Sequence, residues 1–141
     1  MQAESPITVA CIQMEPKIGD KKANVAHSLD KIAEAAGKGA RLIVLPELCN
    51  SGYVFASRHE AFTLAEPVPN GPTSEVWLEA ARRHGAVIVA GICERAGDAL
   101  YNSAAIVGPD GFHRHLSKGA SMGRGEPVLR TRRSRRPRME D

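Results

Sequence analysis

Two short runs, RLIVL at 41–45 and AVIVAGICE at 86–94, restrict the fold of this chain more than any other feature. Each is of strand length and far short of the roughly 18–20 apolar residues a membrane span needs. A strand apolar at nearly every position needs cover on both faces, as in sheets flanked by helices. The covering helices are legible. KKANVAHSLDKIAEAAGKG (21–39) sets Val25, Leu29, Ile32 and Ala36 at three- and four-residue spacing, predicting a helix capped by Asp20 and stopped at Gly37 or Gly39. SEVWLEAARRH predicts a second helix, capped by Thr73 or Ser74, with Val76, Trp77, Ala80 and Ala81 inward. ITVACIQ (7–13) and ALYNSAAIVG (99–108) read as strands, and PDG (109–111) as a turn leading to one more. Residues 50–72 read as irregular, with room for one short helix. The order β-α-β-loop-α-β-β gives an α/β fold with a largely buried sheet, in one domain by length.

Several function classes drop out. There is no GxGxxG or P-loop, so nucleotide binding has no local support. The N-terminus MQAESPITVACIQ lacks the pattern of a secretory signal, and the expected location is cytoplasmic, without membrane attachment. Cys11, Cys49 and Cys93 are odd in number and show no metal-ligand spacing, so free thiols and no metal are expected. Cys11 and Cys93 read as small buried hydrophobes inside strands.

The stretch LIVLPELCNSGY (42–53) carries the chemistry. Ligands of helix-covered sheets gather at the carboxyl ends of strands, and Glu47 stands there, with Pro46 before it expected to end the pairing. A carboxylate leaving an apolar strand for a cleft is partly desolvated, which raises its pKa toward the range of a general base. A glutamate at that place also serves as a loop cap or an ion-pair partner. Cys49, two residues on, invites a nucleophile's role.

ITVACIQ, the GD loop, the Asn-bearing helix ending in AEAAGKGA, LIVLPEL with its following GY, and AVIVAGICER followed by ALYNSAAIVGPDG resemble, in order and spacing, the N-terminal part of the nitrilase, or carbon–nitrogen hydrolase, superfamily over about residues 6–112. The resemblance implies an αββα sandwich, here its front portion, and a Glu-Lys-Cys mechanism with no metal or other cofactor. It gives Glu47 the general-base position. It implies a small-molecule amide, carbamoyl amine or nitrile as substrate and homo-oligomers among intact members. It puts the nucleophile much further along, on another strand, so Cys49 is in the wrong place and this chain is expected to be a truncated fragment without its nucleophile. The alternatives are a nitrilase proper, or a non-catalytic interaction protein with a basic tail.

The last stretch departs from that pattern. Residues 113–141 hold 9 Lys+Arg against 3 Asp+Glu, a net of +6, while residues 1–112 hold 10 against 13, a net of −3. The stretch has no hydrophobic period and reads as a disordered basic tail. The family pattern would place RKxHLW and then FxPGD there. With codons chosen among the permitted ones, reading one base along can restore both, and two results are forced: Met122 is ATG and Gly123 begins with G, so the shifted codon is tryptophan, and Met139 before Glu140 repeats the result. Permitted codons yield FIGTYRKAHLWGEENLFFEPGDLGVPVW, closer to amidases and carbamoyl hydrolases than to nitrilases. Residues 113–141 are therefore expected to be an out-of-frame translation. A genuine tail for nucleic acid lacks aromatics or a motif, and no nucleic-acid partner is expected. Lys118 coincides with the restored motif's lysine by position only.

Overall fold

The computed structural model describes residues 4–119 and the side chains of 4–113. Five strands form one mixed sheet in the order β1 (Thr8–Cys11), β2 (Ala40–Val44), β3 (Val87–Ala96), β4 (Ala99–Gly108), β5 (Gly111–Gly119). β1, β2 and β3 are parallel; β3, β4 and β5 are antiparallel. Helices α1 (Lys21–Gly37) and α3 (Pro72–His84) make the parallel crossovers, and the short α2 (Arg58–Leu64) fills part of the irregular stretch. This is the expected α/β arrangement.

Alternation along the strands sorts the two faces. Ile43, Ile88, Ala90, Ile92, Ala105 and Val107 form the main core with Ile32 and Ala35 of α1 and Trp77, Ala80 and Ala81 of α3. On the second face α2 covers only one end, packing Ala61 and nearby Ala65 on Leu48, Cys93 and Leu100. The rest of that face, with Leu42, Val44, Val87, Val89, Ala104 and Ile106, is half-buried. The sequence expected cover on both sides; among the described residues the second face is covered at one end alone.

Asp20 caps α1 as expected, accepting from Ala23 N at 3.2 Å. The expected cap of α3 is corrected. Gly71 is the N-cap with Pro72 at the first turn, where a missing N–H costs nothing, and Thr73 turns its hydroxyl elsewhere. Val76 faces outward, at 36% exposure. Cys11 is exposed, since β1 is an edge strand; Cys49 and Cys93 are buried. The buried stripe of α1 includes polar Asn24 and Ser28, because each has a partner: Trp77 Nε1 donates to Ser28 Oγ at 3.0 Å. The expected loss of regular structure from His113 onward is corrected for 113–119. There the backbone pairs with β4, since a strand edge accepts any residue with a free N–H and C=O. The rest of that expectation, 120–141, lies outside the described residues.

No helix among the described residues is long and apolar enough to cross a membrane, and no group of three or more His, Cys, Asp or Glu side chains there could hold a metal ion.

Candidate active site

The chain after β2 does not leave the sheet at Pro46, as its missing N–H suggested. Leu45 N donates to Val89 O at 2.8 Å, Gly91 N to Pro46 O at 3.1 Å and Cys49 N to Gly91 O at 3.1 Å. Proline lost only its donor; its carbonyl still pairs. This turn packs so tightly on β3 that a Cβ at Gly91 would sit 2.5 Å from Glu47 Cα, Leu48 N and Pro46 O. Glycine is the one residue that permits the approach. The turn then reverses through Leu48 at φ 46°, left-handed backbone that a non-glycine residue adopts at a cost of about 1–3 kcal/mol. Burial of the Leu48 side chain beneath α2 holds it there.

The reversal sends the Glu47 side chain over the second face, where the α2-covered end gives way to the open floor. Asn102 Nδ2, on β4, donates to Glu47 Oε1. Glu47, Asn102, Gly91, Val44, Val89 and Ala104 line a cleft of about 340 Å³. Tyr53, half exposed, stands near: burial, and next the Glu47 charge, push its phenol pKa up. The expected desolvation of Glu47 is not present, because the carboxylate is exposed where nothing among the described residues covers the cleft.

Cys49 is no nucleophile here. It is fully buried, its Sγ donates to Gly91 O at 3.3 Å, and burial pushes its pKa up to about 12, so the thiolate that attack requires is suppressed. Cys93 is likewise buried, and burial pushes it up to about 11. The backbone of Lys118 stands on β5 directly opposite Asn102, the residue that holds Glu47.

Asn102, Gly91 and Asn50 carried no assigned role in the sequence reading. A signal for Asn102 existed: it is a polar interruption in ALYNSAAIVG, an otherwise apolar strand. Nothing local marks Gly91 or Asn50.

The model of the family "Carbon-nitrogen hydrolase" matches residues 8–131, beyond the Phe112 limit of the sequence resemblance. A nitrilase of Pyrococcus abyssi is 45% identical over 106 residues, 75% of this chain and 40% of its own length. The chloroplastic omega-amidase of Arabidopsis thaliana is 40% identical over 98 residues, 65% of this chain and 26% of its own. Among solved structures, a CN-hydrolase superfamily protein from Xanthomonas campestris, with an arsenic adduct in its active site, superposes with a TM-score of 0.66 at 27% identity over 76% of this chain and 38% of that one. The chain thus spans well under half the length of these relatives.

Proposed function

The chain belongs to the carbon–nitrogen hydrolase family, and on that premise we propose that it carries the general base, Glu47, and the cation, Lys118, of a hydrolase of non-peptide C–N bonds in amides or carbamoyl amines. One observation carries the reading: an exposed carboxylate at a strand's carboxyl end, fixed by Asn102 above a cleft, with residue 118 opposite that asparagine. In this reading Glu47 takes the proton of a cysteine thiol, whose sulfur bonds to the substrate carbon as the C–N bond breaks. Glu47 returns the proton to the departing amine, then activates the water that hydrolyses the thioester. The Lys118 ammonium steadies the negative charge on the substrate oxygen. The amidase branch is favoured by the restored HLW and FFEPGD motifs. It fits relatives named omega-amidase and N-carbamoylputrescine amidase, although others are named nitrilase.

In this reading the nucleophile is none of Cys11, Cys49 and Cys93, since the family resemblance puts it further along the chain, and the 141-residue chain is accordingly inactive, its tail being the out-of-frame continuation. The test is to sequence the coding DNA, delete one base near the Phe112 codon with the downstream region present, and assay ammonia release from amides, carbamoyl amines and nitriles. Cysteine-dependent release from amides or carbamoyl amines is expected. An intact frame with no RKxHLW in either shifted frame, or release by the 141-residue chain itself, overturns the reading.

The half-buried apolar stretch of the second face favours a second reading, a partner-binding domain without catalysis. A frame-restored protein inert on every substrate class, yet a stable complex with another chain through Val44 and Val89, would support it.

A further inference from the structure

Glu66 lies between α2 and α3 and takes no part in the chemistry above, yet its carboxylate is buried and held by several partners. It is 3% exposed. Its carboxylate accepts from Thr73 N at 2.7 Å, Thr73 Oγ1 at 2.5 Å and Asn50 Nδ2 at 3.3 Å, and pairs with Lys21 Nζ at 3.2 Å. Its backbone is tied to β3 by Glu66 N to Cys93 O at 3.0 Å and Arg95 N to Glu66 O at 2.8 Å. Room for the carboxylate depends on Gly71, where a Cβ would sit 2.9 Å from Glu66 Oε1.

Serving the first turn of α3 would occupy only one side of this group. Burying a whole carboxylate is costly, and such groups persist where all their bonds are made. The remaining bonds lead to the turn of the candidate site. Asn50 is fully buried three residues after Glu47. Its Nδ2 goes to Glu66, its Oδ1 accepts from Cys93 N at 3.3 Å, and its carbonyl accepts from Asn24 Nδ2 at 3.2 Å. Asn24 in turn clasps Lys17 through both its N–H, at 2.8 Å, and its carbonyl, at 2.7 Å. Asn50 therefore fastens the far half of the turn to β3, to α1 and to Glu66, while Gly91 fastens the near half. The left-handed Leu48 lies between the two anchors, and without the far one the turn is free to relax from it.

We propose that Glu66, acting through Asn50, is a positioning residue that holds the 47–51 turn, and with it the Glu47 carboxylate, over the cleft. Its functional meaning rests on Glu47 being the base, but its test does not. Cys49, in the same turn, reports the anchoring; Cys93 shares bonds with Asn50 and Glu66, so general loosening is read from a core variant instead; exposed Cys11 shows that reagent is in excess. The full 141-residue chain is pulsed with iodoacetamide at pH 8.5, and labelling at each cysteine is followed by peptide mass mapping. Glu66→Ala and Asn50→Ala are compared with Val107→Ala, a core change at the opposite end of β3 and β4 from this network, each at the same interval below its own Tm. In both network variants Cys49 should label at least about 10-fold faster than in wild type, while Val107→Ala leaves its rate unchanged. Should Glu66→Ala fail to fold, Asn50→Ala gives the same comparison. Equal acceleration of Cys49 in Val107→Ala, or a lowered Tm in the network variants with Cys49 still slow, overturns the proposal. Because labelling needs no turnover, failure of the hydrolase reading leaves this result standing, and the reverse holds.

Discussion

Gly91→Ala tests whether the contact between β3 and the Glu47 turn is as tight as its geometry states. The added methyl would meet three backbone atoms at 2.5 Å, against an ordinary carbon contact of about 3.5–4.0 Å. None of the three lies at the end of a flexible side chain, so strand and turn must part by about 1 Å. The bonds Gly91 N to Pro46 O and Cys49 N to Gly91 O, both 3.1 Å, then pass out of range. Two net hydrogen bonds are worth about 1–3 kcal/mol, and overpacking adds about 1–3 kcal/mol. Reduced entropy of the unfolded chain returns about 0.4–1 kcal/mol. The net loss is about 3 kcal/mol, which for a domain of this size lowers Tm by about 12 °C. Thermal unfolding followed by circular dichroism measures it. Gly37→Ala, where nothing lies within 4 Å of the new methyl, is the control and should change stability by no more than about 1 kcal/mol. A Gly91→Ala chain melting within about 3 °C of wild type would refute the close approach and the turn geometry built on it.

The buried thiols make stability depend on alkaline pH. Cys49, raised from 9.0 to about 12 by burial, contributes stability that is fully present below pH 9 and is lost as pH rises toward 12. The loss is about 1.4 kcal/mol per pH unit within that window, and urea titrations of Cys49→Ala should show a shallower alkaline decline. At pH 8.5 native chain should take up thiol reagent quickly at Cys11 alone; prompt labelling of Cys49 would contradict its burial. In the frame-restored protein Glu47→Gln should lower kcat/KM by about 10²–10⁴-fold, the usual worth of general-base help, and near-normal turnover would remove Glu47 from the mechanism. The open stretch of the second face should make the 141-residue chain self-associate with rising concentration, and Val89→Glu should shift it toward monomer in sedimentation velocity; a wild-type monomer at all concentrations would count against that.

Local pattern was enough for the elements whose cause is local. The β2 and β3 runs are apolar at nearly every residue, α1 has its 3.6-residue stripe, and Asp20 has a helix to cap. The place of Glu47 at a strand's carboxyl end followed from LIVLPEL alone, and the family from the ordered set of motifs over about residues 6–112, because such motifs are written in consecutive residues. Contacts between residues far apart in the chain were decided elsewhere. Asn102 reaches Glu47 from 55 residues away, Asn50 reaches Cys93 from 43 and Trp77 reaches Ser28 from 49. No spacing rule within one element encodes such pairs. The same cause explains the corrections. Val76 fits the apolar stripe of α3, but the rotation of that helix was set by where Trp77 found the sheet. Cys11 reads as a core residue in a strand, but only the sheet order makes β1 an edge. Glu47 was expected to be desolvated because strands of this kind are covered. Exposure is a property of what packs above a residue, and on the second face that cover is supplied by tertiary neighbours, which no run of adjacent residues specifies.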